Sequence, residues 1–251
     1  SDAWLRTTGM SEIRVDRRPE AVIVQTDARP HRISVGFYAF EGDQLVRQAG
    51  VDLDISGERT PLRAPILPNA DLIVPNDDDR TYAKVRLDMR STDAVTRGLS
   101  TIEDTLARSV IWAALWNAVR DGALPVTRYL EIAERHAAAE GSVALLTDVT
   151  AHAAYAIAHY AADTQRPGLA QRWLETTWRG MTTAPAGSDA QLAWARAAGA
   201  AAAFDDSRAT ELRAMLRGET APPAGLALDA DLRWAWMMAL SATGHLTVAE
   251  A

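Results

Sequence analysis

The sequence predicts a mixed fold: a small antiparallel β-sandwich followed by an all-α superhelical region of the α-solenoid, HEAT/ARM-like kind, truncated at its far end. Three observations predict it. Up to about Met89 apolar residues recur at every second position between frequent breakers. From Ser91 onward they recur at helical intervals instead. The helical stretches are also similar in length and joined by short connections, the pattern of antiparallel helix pairs that stack. The expected organisation is a junction over residues 1–10, a β-sandwich domain over 11–90 and the N-terminal portion of a superhelix over 91–251. No strict sequence repeat accompanies the helices.

Within the first region, Ile13 and Val15, then Ala21 to Val24, then Ile33, Val35 and Phe37 read as half-buried strands. Glu41-Gly42-Asp43 reads as a hairpin loop. The next strand starts at Leu45 and Val46 and runs through Val51, Leu53 and Ile55 to the Ser56-Gly57 break. Leu72, Ile73 and Val74 form a short apolar run, and Tyr82 to Leu87 alternate as a last strand. Six or seven short strands with turn signals roughly every 8–12 residues predict a sandwich. In the second region Ser100 and Glu103 have capping-box spacing ahead of Ile102, Leu106, Val110 and Ala113. Asp121-Gly122 closes that helix and Pro125 opens the next. Further helices are predicted over 125–139, 142–161, 168–180, 188–203, 206–217 and 229–241, with Ser142, Ser188 and Ser207 as N-caps. The last residues, Val248 to Ala251, follow a helix without a polar capping repeat, so a partner or further polypeptide is expected to cover that end.

Composition removes several classes of function. At 251 residues, 48% hydrophobic and 24% charged, the chain has ample material for a globular core. Its formal net charge of −7 speaks against a nucleic-acid partner. The absence of cysteine removes disulfides and thiolate metal sites, in keeping with a cytoplasmic setting. No apolar run reaches the roughly 18 residues of a membrane span, so no membrane partner is expected. Lys84 is the single lysine, a bias that fits the genome of a high-GC bacterium. Ser1-Asp2-Ala3 reads as a remnant of an expression tag.

The chemistry-bearing residues do not assemble into a catalytic site. His136 and Glu140 share a helix face, but a zinc helix needs a second His at i+4 and a Glu beside the first. His152 and His159 stand seven apart, roughly 10 Å along a helix, too far for one small ion. Asp77-Asp78-Asp79 lacks the alternation of a calcium loop and reads as a turn. Trp112, Trp116, Trp173, Trp178, Trp194, Trp234 and Trp236 at helical spacing read as core. No phosphate loop, nucleophile elbow or Cys/His pair occurs.

One long stretch carries a family pattern. Residues 72–88, Leu-Ile-Val-Pro-Asn-Asp-Asp-Asp-Arg-Thr-Tyr-Ala-Lys-Val-Arg-Leu-Asp, resemble the corresponding stretch of actinobacterial aminopeptidase N in the M1 metallopeptidase family. Arg29 to Ile33, Gly57 to Thr60, Ala107 to Ser109, Trp112 with Trp116-Asn117, Arg120 to Gly122, Pro185 to Leu192 and Asp231 to Trp234 are similar to further family segments in the same order. Trp4 to Gly9 resembles the junction that leaves the catalytic domain. Asn117 and Ala123 depart from the Asp and Glu usual in this group. The family's H-E-x-x-H zinc helix, G-x-M-E-N segment and catalytic tyrosine have no counterparts here. The resemblance therefore implies a C-terminal, ERAP1-like part of a zinc aminopeptidase that holds no cofactor itself. Zinc would belong to a catalytic domain upstream in the same polypeptide, the expected partner together with peptide substrates. By the same resemblance the sandwich would brace that domain and the superhelix would enclose and gate the peptide cavity. Arg108, Arg120 and Arg233 are the candidates for lining it, where a guanidinium could meet a peptide carboxylate. The alternative is a freestanding helical-repeat module that binds a protein partner without peptidase activity.

Overall fold

The computed structural model describes residues 8–247; Ser1 to Ala3, read as a tag remnant, most of the stretch Trp4 to Gly9, read as a junction, and Val248 to Ala251 lie outside them. The chain divides into two compact units, one reaching to Ile132 and one starting at Ala133.

The first unit is built on seven strands, β1 (Glu12–Asp16), β2 (Val22–Thr26), β3 (His31–Glu41), β4 (Gln44–Ile55), β5 (Arg59–Pro61), β6 (Leu72–Pro75) and β7 (Lys84–Arg86). They form two sheets, ordered β5-β2-β1-β7 and β4-β3-β6. Alternation drives this arrangement: Ile13, Val15, Ile23, Ile33, Val35, Phe37, Ile55 and Ile73, drawn from both sheets, form one fully buried cluster. The β3–β4 hairpin turns where the Gly42 signal places it, with Gly42 at φ +61°, a left-handed conformation that favours glycine. The expectation of a purely antiparallel sheet needs one correction, because β1 and β7 pair in parallel. A parallel neighbour requires a long crossover, and nearly seventy residues separate the two strands.

Three helices follow in sequence: α1 (Met89–Gly98), α2 (Thr105–Arg120) and α3 (Val126–His136). Asp88 caps α1 by accepting a hydrogen bond from the Ser91 amide. Arg17 fixes that start from the sheet side. Its Nε donates to Asp88 Oδ2 at 2.9 Å, its Nη1 to the Ala70 carbonyl at 2.7 Å and its Nη2 to Ser91 Oγ at 3.0 Å. The helical pattern read from Ser91 thus starts two residues earlier, and α2 starts at Thr105 under the Asp104 cap instead of at the Ser100–Glu103 box. A 3-10 turn at Leu99–Thr101 occupies that box, its Thr101 hydroxyl bonded to the Gly98 carbonyl. At the far end of α2, Asp121 accepts from Lys84 Nζ at 2.8 Å and from Arg86, tying the helix C-terminus to β7.

The second unit contains α4 (Val143–His159), α5 (Arg166–Thr183), α6 (Asp189–Ala202), α7 (Asp206–Leu216) and α8 (Ala230–Ala242). Ser142 and Ser188 cap α4 and α6, but Asp205 and not Ser207 caps α7. Two close approaches set the packing. Gly180 of α5 leaves room for the Trp194 ring and Gly199 of α6 leaves room for Trp236; a methyl group at either would overlap the indole. Trp236, fully buried, donates from Nε1 to the Ala195 carbonyl at 2.9 Å, and Gln191 Nε2 donates to the Ala224 carbonyl at 3.0 Å. The loop before α8 meets the start of α6 at Gln191, and Trp236 in the middle of α8 meets the middle of α6, so the two helices advance in the same direction. Of the seven tryptophans read as core, Trp234 is 61% exposed and Trp116 half-buried; the other five are buried.

Candidate functional site

The Asn76–Asp79 turn, at the heart of the family-like stretch, is a folded node. Asn76 and Asp79 take left-handed φ values of +58° and +49°. Asn76 sustains that geometry with its own amide: Oδ1 accepts from the Arg80 backbone at 2.9 Å and Nδ2 donates to the Thr81 carbonyl at 2.9 Å. Between them Asp77, 1% exposed, accepts from Tyr38 Oη at 2.7 Å and Arg47 Nε at 2.8 Å. Gly36 beneath it has no room for a Cβ. Burial raises the Asp77 carboxyl above the usual carboxylate range even though Tyr38 and Arg47 favour its charge. Burial, with the Asp77 charge beside it, also pushes the Tyr38 phenol up. Asp78 pairs with Arg80 at 2.8 Å. Arg47 also reaches Asp78 at 3.6 Å, and Asp79 accepts from Asn76 Nδ2 at 3.4 Å, so the carboxylates are engaged by protein donors.

His136 and Glu140 are both buried, at the end of α3 and after the 3-10 turn Ala137–Ala139. His159 is exposed, and its ring lies 4.2 Å from that of Tyr155. Among the described residues no group of three or more His, Cys, Asp or Glu side chains is placed to hold a metal.

The three candidate arginines occupy different settings. Arg108 is buried; its Nη1 donates to the Ile102 and Glu103 carbonyls at 2.7 and 3.0 Å, closing the loop before α2. Arg120 ends α2 and is exposed. Arg233 donates to the Leu216 carbonyl at 2.9 Å and lines a cavity of about 540 Å³ with Arg217, Thr220 and Leu228.

A further feature escaped notice in the sequence. A groove of about 340 Å³ runs between α4 and α6 over Trp173 of α5. Val143, Ala151 and Ala154 form one wall, Leu192, Ala197 and Ala200 the other, and Asp189 and Arg196 belong to the α6 side. Alanines carry no conspicuous signal in a sequence, so only the packing exposes it.

The chain belongs to the ERAP1-like C-terminal domain family, whose model matches residues 72–251. It is 37% identical over 271 aligned positions to the protein named Aminopeptidase N of Streptomyces lividans. That alignment takes in 100% of this chain but 31% of the relative, so the chain spans about a third of its length. No described helix is long and apolar enough to cross a membrane.

Proposed function

We propose that this chain is the non-catalytic C-terminal part of an M1 zinc aminopeptidase, whose zinc and catalytic residues lie in a domain upstream in the same polypeptide. The single observation that carries this reading is the similarity to Aminopeptidase N along the full length of the chain. In this reading residues 11–90 form the β-sandwich that braces the catalytic domain, and residues 91–251 form a superhelix that encloses and gates the peptide cavity. The two-sheet core of the first unit supports the sandwich. The shared direction of α6 and α8, with α7 returning between them, supports a stacked, solenoid-like succession. Arg120 and Arg233 keep guanidinium surface within reach of a peptide carboxylate, whereas Arg108 donates to the Ile102 and Glu103 carbonyls of its own loop.

The test compares two polypeptides. This chain alone should bind no stoichiometric zinc and release no chromophore from leucine or arginine p-nitroanilide. A longer polypeptide with the upstream H-E-x-x-H helix should do both and lose activity to a chelator. Chelator-sensitive turnover by the chain alone overturns the proposal.

A further inference from the structure

The parallel pairing of β1 with β7 brings two stretches of chain to one end of the first unit. Glu12 stands opposite Lys84, and the Lys84 amide donates to the Ser11 carbonyl at 2.8 Å. The residues that lead into β1 therefore lie beside Tyr82 and Ala83, which lead into β7. Arg29 fixes the first approach, donating to the Thr8 and Gly9 carbonyls at 2.8 Å each. The second is fixed as well: the Thr81 hydroxyl lies 2.8 Å from His31 Nδ1, and the Thr81 carbonyl accepts from Asn76 Nδ2. On this braced loop Tyr82 is 69% exposed. Next in sequence, Ala83 lines a cavity of about 270 Å³ with Val85 of β7 and with Val110 and Ala113 of α2. Asp79 and Asn117 bring polar groups to the same cavity. Asp79 is exposed and forms no ion pair among the described residues, its one bond being the 3.4 Å contact from Asn76. The volume falls below the roughly 300–1,000 Å³ of ordinary small-ligand pockets and suits a single side chain.

We propose that this end of the first unit is the docking surface for the upstream domain, with Tyr82 as its anchor and the cavity as the receptacle for a lysine or arginine of that domain. The upstream domain itself comes from the aminopeptidase reading, on which this assignment rests. The match to the relative leaves about two-thirds of that protein's length outside it, and polypeptide arriving at Thr8 emerges against this surface. Covalent connection gives such a partner a high effective concentration, so a small contact is enough. The aliphatic stem of the incoming side chain packs on Ala83, Val85, Val110 and Ala113. Its cation meets the Asp79 carboxylate and the Asn117 amide oxygen. A tyrosine suits the anchor role, because a ring on a rigid backbone gives up little freedom on burial and supplies a large contact area.

The experiment is nitration by tetranitromethane, read by peptide mass, on the 251-residue chain and on the longer polypeptide that includes the upstream domain. Tyr82 should react readily in the chain alone and about tenfold more slowly in the longer polypeptide. Asp79→Asn keeps a residue type that tolerates the left-handed φ of +49° and removes the charge, so it should restore part of that reactivity in the longer polypeptide. Tyr82→Ser should lower the unfolding midpoint of the longer polypeptide by a few degrees and leave that of the chain alone unchanged. Equal nitration in the two polypeptides, a Tyr82→Ser shift shared by the chain alone, or indifference of the longer polypeptide to both substitutions overturns the proposal. If the Tyr82 variant fails to fold, nitration of the unsubstituted pair and of Asp79→Asn still decides. Zinc and turnover are read separately. A longer polypeptide that binds zinc and cleaves p-nitroanilides yet leaves Tyr82 reactive sinks the docking surface and spares the aminopeptidase reading; protected Tyr82 without zinc does the reverse.

Discussion

At the scale of single residues, Asp77 shows how a carboxylate can be structural without being cheap. Its carboxylate lies 1% exposed against Gly36 with two donors, Tyr38 and Arg47. Asp77→Ala should lower the stability of the chain by about 1–3 kcal/mol in urea unfolding, because the Tyr38 hydroxyl loses its acceptor inside the core. Asp77→Asn keeps an acceptor and removes the buried charge, so it should cost less than the alanine. The raised Asp77 titration means that the folded state takes up its proton more readily than the unfolded one. Its contribution to stability is therefore gained on acidification and lost as pH rises through the folded value. Asp121 has the opposite sign. Hydrogen bonds from Lys84 and then Arg86 hold its carboxyl below the ordinary value. Its contribution is present above about pH 4 and disappears as pH falls through the lower folded value. Asp121→Asn should then be destabilising at pH 7 and nearly silent near pH 2, read as the difference in thermal midpoint between the two conditions.

At the scale of elements, the helices of the second unit are spaced by glycine. Alanine exceeds glycine in helix propensity by about 1 kcal/mol, so Gly199→Ala in an ordinary helix would stabilise. Here the added methyl overlaps the indole of Trp236, and the substitution should instead destabilise by about 1–3 kcal/mol in chemical unfolding. Gly180→Ala against Trp194 should behave alike. The paired partners explain why these tryptophans read correctly as core from spacing alone, while their glycines carried no signal. Caps were legible where the capping side chain directly precedes the apolar run, as at Ser142 and Ser188. They were not legible where two cappers compete: Asp205 prevails over Ser207, its carboxylate accepting from the Arg208 amide at 2.9 Å. The ten-residue α1 was hidden because its first turn, Met89-Arg90-Ser91-Thr92, is polar and its anchor is Arg17, over seventy positions away.

At the scale of the whole chain, local periodicity revealed the change from strands to helices near residue 90, and the Asn76–Asp88 stretch revealed the family. What stayed hidden is whatever depends on tertiary approach: the parallel β1–β7 pairing, the internal bonding of Arg108, and the groove over Trp173. With no metal-ligand cluster among the described residues, a chelator should leave the unfolding midpoint of this chain unchanged. A shift of several degrees would reveal a metal contribution to the fold.

Helix α6 turns its Gln191-Ala195-Gly199 flank to α8 and its Leu192-Arg196-Ala200 flank to the groove shared with α4. It works as a party wall between two rooms. Bulk introduced on the α8 side cannot be absorbed by a glycine already in contact with an indole, so the wall must lean toward the groove. A Gly199→Ala chain should accordingly narrow a groove that the new methyl never touches, and a smaller residue in place of Trp236 should reopen it.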